Sequence, residues 1–253
     1  MSCLDFLRVY HYDTSKKIRL GVQNDGGYVI ADIAGEEGVY DCYISAGVST
    51  EESFTRDFLA RYSGPCSLDE TNCFAFDGTI EAYPKQYTDK ITFFKNNIGG
   101  GAEDVEPVAA SDTNLLFLLN KYSRVFLKMD IEGGEYPWLM RMAADDLRKI
   151  KQMVIEFHGI TGLGWGSSFD DKWACIKKLS ETHYIVHAHG NNYSHTISHI
   201  PDVIELTCIE KSYFADCAPP LNQVPLPIIG LDFANCAARL DIDLNVFPFV
   251  NKA

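Results

Sequence analysis

The sequence predicts one α/β domain: a seven-stranded, mainly parallel sheet with helices on both faces. Strand-like runs alternate with helical patterns along the chain, and such alternation builds parallel sheets through crossover helices. The apolar run 125–129 stops abruptly at Asp130, as a strand buried on both faces does at its carboxyl end. The 253 residues, 46% hydrophobic and 23% charged, can build one large core without a second domain. We divide this domain (residues 1–253) into an N-terminal hairpin cover (1–36), a core (37–211) and a C-terminal wrap (212–253).

Segments 18–20 and 28–31 flank Asn24-Asp25-Gly26-Gly27, a strong hairpin-turn signal. A strand over 40–45 ends in Ala46-Gly47. The helix expected over 51–61 has Ser49 or Thr50 as its cap and acids in its first turn. Strands over 72–76 and 91–94 end at Asp77-Gly78 and near Asn96-Asn97. Asp112 or Thr113 is the expected cap of a helix over 114–121, followed by the strand 125–129. A helix over 137–147 and a strand over 152–157 come next, the strand ending at His158-Gly159. The helix 170–182 gathers Trp173, Ile176 and Leu179 on one face. Strands over 184–189 and 203–209 complete seven, and the proline-rich tail reads as an ordered wrap.

A formal charge of −13 opposes binding to a phosphate backbone or an anionic membrane surface, both of which need clustered Lys and Arg. The eight cysteines form no CxxC pair, so a structural zinc site is not expected. Cys42, Cys175 and Cys208 lie in apolar surroundings, where a free thiol behaves as a small hydrophobe. There is no signal-peptide pattern and no apolar run of membrane length, so a cytoplasmic location with reduced thiols is expected.

Asp130, Glu132 and Glu135 crowd around the Gly133-Gly134 break. In open α/β sheets the ligand crevice lies beyond the carboxyl ends of the strands, where Asp130 falls. Acids buried together need a cation, a proton or hydrogen-bond donors. The alternative is that Glu132 and Glu135 only favour a helix N-terminus. The first strand-turn-helix offers Ser45, Ala46, Gly47 and Ser49 as a cofactor loop, with Lys128 near it. Thirty residues after Gly47 comes Asp77, followed by Gly78. An acid at a second strand tip suits the ribose hydroxyls of a nucleotide-like cofactor.

The loop Gly162-Leu163-Gly164-Trp165-Gly166 imitates a dinucleotide fingerprint, but the strand after its helix supplies no ribose acid. Trp165 would also crowd a pyrophosphate, so the loop reads as substrate-side, with an oxidoreductase as a minor alternative. Five of seven histidines (His183, His187, His189, His195, His199) fall within seventeen residues. His187 and His189 share a strand face, and His195 and His199 would share a helix face if that segment is helical. A metal-dependent oxygenase or hydrolase built on His187–His199 is therefore one alternative function.

The words KMDIEGGEYPWL and VIEFHG resemble the FkbM-type class of S-adenosylmethionine-dependent O-methyltransferases. RLGVQNDGGYVI, ISAGVSTEESF, FAFDGTI, HAHGNNY and IPDVIELTCIEK continue the resemblance in order, over about residues 19–211. It implies a class I methyltransferase (Rossmann-like) fold, S-adenosyl-L-methionine as cofactor and methyl transfer to a hydroxyl, commonly on a sugar. The loop SAGVS departs from it by having fewer glycines than many methyltransferases. Asp130, His158 and His189 are the expected catalytic groups, with a neutral imidazole as a suitable base near physiological pH. Glu132, Asn191, Asn192 and Glu205 are expected to hold a small-molecule or glycan acceptor. A divalent cation, Mg or Mn, would sit on Asp130 and Glu156. A catalytically silent nucleotide- or carbohydrate-binding module is the other alternative.

Overall fold

The structure, a computed structural model, describes residues 2–33, 38–99, 112–162, 164–215 and 217–252. The boundary expected at residue 36 and Leu163 of the glycine loop lie outside the described residues. The expected hairpin forms: β1 (Lys17–Leu20) pairs antiparallel with β2 (Tyr28–Ala31). There follow β3 (Cys42–Ala46), α1 (Ser53–Cys66), β4 (Cys73–Phe76) and β5 (Thr92–Phe94). Two short strands, β6 (Asn97–Ile98) and β7 (Asp112–Thr113), pair with each other in parallel before α2 (Leu116–Leu119). Next come β8 (Val125–Met129), α3 (Glu135–Arg141), α4 (Ala144–Leu147), β9 (Ile150–His158) and α5 (Phe169–Thr182). The order ends with β10 (His183–Gly190), β11 (Thr196–Ile197), β12 (Ile200–Pro201) and β13 (Val203–Glu210).

The seven expected core strands form one sheet in the order β10-β13-β9-β8-β3-β4-β5. Only the pairings of β13 are antiparallel, so the carboxyl ends of β3, β4, β8 and β9 share one edge. The chain runs outward from β3 through β4 to β5, then returns to β8 on the other side of β3. That reversal opens a crevice between β3 and β8.

Consecutive strand residues enter opposite cores, as the two-residue period of a strand requires. Val125, Leu127 and Met129 pack into the larger core with Trp138 and Leu179 from the helices of one face. Phe126 packs into the other core with Phe54, Phe58 and Tyr62 of α1 and Tyr28 and Ile30 of the hairpin. A lone hairpin is marginal in water. This one is fastened by sheet side chains: Gln152 Oε1 accepts from Ala31 N at 2.8 Å, and Thr207 Oγ1 donates to the Val29 carbonyl. No helix among the described residues is long and apolar enough to cross a membrane.

Four local expectations are corrected. Helix α1 begins after Glu52, not at Ser49 or Thr50, because Ser49 adopts a left-handed conformation (φ 49°) to keep its amide on Asp77. Asp112 and Thr113 extend as a strand, and Leu115 at φ 69° precedes the shorter helix α2. The helix expected over 137–147 divides, since Met142 and Ala143 are extended. His195 and His199 do not share a helix: the β11–β12 ladder occupies that segment, and His199 turns at φ 69°.

Candidate functional site

The crevice is set by a glycine. Gly47 leaves β3 at φ +79°, and a side-chain carbon there would lie 1.6 Å from the Asp130 carbonyl oxygen. Gly47 N donates to the Phe76 carbonyl and Asp130 N to the Ala46 carbonyl, both at 2.9 Å, so the three strand tips are laced together. Asp77 then shapes the loop: Oδ2 accepts from Val48 N at 3.0 Å and Ser49 N at 2.8 Å. Its Oδ1 accepts from Thr79 N at 2.7 Å and Thr79 Oγ1 at 2.6 Å. Burial pulls the Asp77 pKa up, but these donors outweigh it and hold the carboxyl below its usual value. Four donors fill its acceptor sites, so a ribose hydroxyl would have to displace Thr79. Gly78 abuts Asn97, where an added carbon would meet the side-chain oxygen at 2.3 Å.

Behind the loop lies a residue that the pattern of the sequence did not single out. Glu52, almost wholly buried, accepts from Ser45 Oγ at 3.0 Å, from Tyr83 O–H at 3.3 Å and from Thr55 Oγ1. Lys128 Nζ donates to the Gly47 carbonyl and lies 3.8 Å from Glu52 Oε1. Burial raises the Glu52 pKa, with Lys128 opposing. Ser45, expected to touch a cofactor, is spent on Glu52, and the Ala46 side chain belongs to the apolar core. Lys128 still borders the crevice while bracing the loop from beneath. The crevice encloses about 530 Å³, within the range of small-molecule sites, between Ser49 and Asp77 on one side and Asp130 and Glu132 on the other.

At the acidic end, Tyr28 O–H lies 3.3 Å from both Asp130 Oδ2 and Glu156 Oε2. Asn191 Nδ2 donates to Glu156 Oε1 at 2.8 Å. Burial, then the charges of Asp130 and Glu205, push the Glu156 pKa well above the carboxylate range. Asp130 and Glu156, the expected cation site, thus lie on either side of the Tyr28 hydroxyl.

His158 Nδ1 donates to Glu135 Oε1 at 3.1 Å, and its Nε2 lies 3.5 Å from Glu132 and 3.8 Å from Asp130. Burial lowers its pKa, but Glu135, Glu156 and Asp130 together raise it to about 9. The expectation of a neutral imidazole base at His158 is therefore corrected: the ring is an imidazolium at neutral pH. Among the described residues, Asp130, Glu132 and His158 are the group whose ligand atoms converge within 4.8 Å. In this arrangement the His158 ring stands in ion-pair range of both Glu132 and Asp130.

Two histidines of β10, His187 and His189, serve the C-terminal wrap. His189 places Nδ1 3.1 Å from Glu205 Oε2 and Nε2 3.1 Å from Asp241 Oδ1. Burial opposes charging, but Glu205 and Asp241 raise its pKa to about 10, which removes it as a neutral base. His187 Nε2 lies 2.8 Å from Asp232 Oδ1, and buried His183 reaches Thr182 and the Ile150 carbonyl. No shared metal centre unites these rings with the exposed His195 and His199 among the described residues. Asn192 donates to the carbonyls of Cys236, Arg239 and Leu240, and its oxygen accepts from Cys236 N at 2.6 Å. Asn191 is held by Glu156 and Tyr193 N, and Glu205 by His189 and Asn235. These expected acceptor contacts are structural in this arrangement. Glu132 is the exception: its side chain is 71% exposed at the crevice rim.

Trp165 packs beside the acidic end, its ring 4.8 Å from that of His158. Gly133 and Gly159 permit this, since added carbons would approach Trp165 to 2.9 and 2.2 Å. The loop is anchored by buried Lys172, which donates to the Gly159 carbonyl at 2.6 Å and the Gly162 carbonyl at 3.0 Å.

The Methyltransferase FkbM domain profile matches residues 8–193. The chain is similar to the crystal structure of a TehB-like SAM-dependent methyltransferase from Corynebacterium glutamicum, at 14% identity and a TM-score of 0.32. That alignment covers 72% of this chain and 90% of the other. No curated protein matches the chain.

Proposed function

The chain belongs to the Methyltransferase FkbM domain family, and from that membership we propose that it is an S-adenosylmethionine-dependent O-methyltransferase acting on a hydroxyl of a sugar or glycan. The observation that carries this reading is the 530 Å³ crevice at the β3–β8 reversal, walled by the Gly47 loop, Asp77 and Asp130. Its acids, Asp25, Glu51, Asp77, Asp130 and Glu132, suit a positively charged guest. S-adenosylmethionine, when bound, supplies a methyl group that its sulfonium already makes electrophilic.

The protein then has to align the acceptor oxygen and remove its proton. Asp130 at the crevice wall is the group we assign to proton removal, because His158 and His189 are both held as imidazoliums. When the bound cofactor gives up its methyl group, Asp130 would take the acceptor's hydroxyl proton and pass it to solvent. His158 keeps Glu132 and Asp130 facing the rim. Asp77 would hold the cofactor's ribose through Oδ1, in exchange for Thr79, while Oδ2 keeps the loop. The exposed rings of Trp165 and Tyr193 give flat, amphipathic surfaces of the kind a sugar face can use, and Glu132 gives its hydroxyls an acceptor. The eight free thiols suit a reducing cytoplasm.

Methyl-labelled S-adenosylmethionine, incubated with the protein and a panel of sugars and glycans, tests the reading. An O-methylated product that Asp130→Asn fails to form is expected. Cofactor binding with no methylated product from any hydroxyl acceptor favours a silent binding module.

A further inference from the structure

Trp165 stands at the tip of a two-residue turn that tryptophan suits poorly. Gly164 and Ser167 form an antiparallel bridge, and between them Trp165 and Gly166 take φ values of 52° and 73°. Two consecutive left-handed residues are readily supplied by an Asn-Gly pair and resisted by a bulky side chain. Glu132 is strained in the same way, at φ 54°, and it precedes Gly133, against which the tryptophan packs. Neither side chain offsets its strain by full burial: Trp165 is 41% exposed and the Glu132 side chain 71%. Strained residues that the surrounding structure holds in place mark functional positions.

The indole is fixed at its base and open beyond it. Gly133 and Gly159, bare of side chains, let it lean on backbone beside His158, and Lys172 ties the Gly159 and Gly162 carbonyls together. The His158 ring is 4.8 Å from the indole, and its Nε2 is 3.8 Å from Asp130 Oδ1. One sugar unit can therefore span from the indole to Asp130.

We infer that Trp165 is a specificity-determining residue: its ring stacks on the C–H face of an uncharged pyranose and sets that sugar beside Asp130, with Glu132 accepting from a hydroxyl at its edge. This deepens the proposed methyl transfer and rests on it for the reaction, while the sugar contact needs no cofactor. A pyranose offers faces of C–H groups and a rim of O–H donors, which match a flat indole next to a carboxylate. Asp25, Asp130 and Glu132 make this end of the crevice negative, so a uronate is repelled.

Quenching of tryptophan fluorescence by acrylamide tests the contact in the resting protein. Trp138 is 0% and Trp173 8% exposed, so quenching reports Trp165, and Trp165→Phe should abolish most of it. Uncharged methyl hexopyranosides, titrated one at a time, should remove most of the quenching at saturation, and the matching hexuronates should not. Shielding by none of the hexopyranosides, or equal shielding by the hexuronates, overturns the inference. In turnover of the hexopyranoside that shields best, Trp165→Asn suits the turn but lacks the ring. Its acceptor KM should rise by about tenfold with kcat and S-adenosylmethionine affinity held, and Trp165→Phe should recover part of that loss. A lower melting temperature with an unchanged acceptor KM would make Trp165 a structural cap and overturns it equally. Shielding in a protein that binds no S-adenosylmethionine supports the sugar platform and defeats the proposed function. Methyl transfer to a hydroxyl without shielding does the reverse.

Discussion

His189 lies between Glu205 and Asp241, 3.1 Å from each, and through that contact one imidazole of β10 ties the C-terminal wrap to the sheet. Its pKa rises from 6.5 to about 10 on folding. A pKa raised in the folded state gives stability that is complete below about pH 6.5 and lost as pH rises through about 10. His189→Gln should therefore melt below the wild type at pH 6.5, by an amount reflecting about 3–5 kcal/mol for a broken buried ion pair. Thermal melts of both proteins should converge near pH 10. A gap that stays constant over that span would contradict the ion pair.

Lys128 and Glu52 make the second test. Lys128→Met strands a buried carboxyl beneath the Gly47 loop and should cost about 3–5 kcal/mol in urea unfolding. Adding Glu52→Gln should recover much of that loss. A single substitution costing under about 1 kcal/mol would mean that the pair does not brace the loop.

The roles of His158 and Asp130 can be told apart by kinetics. His158→Gln keeps a donor for Glu135 and should hold turnover within about tenfold between pH 6 and 8. Asp130→Asn should lose about 10²–10⁴. Equal losses in the two variants, measured as kcat with cofactor affinity preserved, would return proton removal to the imidazole.

Gly47→Ala places a side chain in a left-handed conformation and into the Asp130 carbonyl at once. The backbone term alone costs about 1–2 kcal/mol. Weakened cofactor binding is expected with the loss of stability. Tight binding in a fully stable Gly47→Ala protein would remove the glycine from the site.

The β3–β8 edge was legible in the sequence, because apolar runs end there at Gly47, Asp77, Asp130 and His158. Each is a local signal: a strand period, a break, then a polar tip. Residue type also suggested chemistry for His189 and Asn192, but their partners Asp241 and Cys236 lie 52 and 44 positions away. Nothing local reveals that pairing, so donors suited to a sugar were already spent on the wrap. Tyr28 was hidden differently. All four residues of β2 are buried, so no alternation marks which side chain reaches the crevice. Glu52 looked like an ordinary first-turn acid, and only the fold places it under Lys128.

The most direct test is a calorimetric titration of S-adenosylmethionine into the wild-type protein, repeated with Asp77→Ala. We expect saturable one-site binding that weakens by about 1.5–3 kcal/mol in the variant, as loss of a charged hydrogen-bond acceptor implies. No binding to the wild type, or binding of NAD in preference, would contradict the assignment of the crevice to a methyl donor.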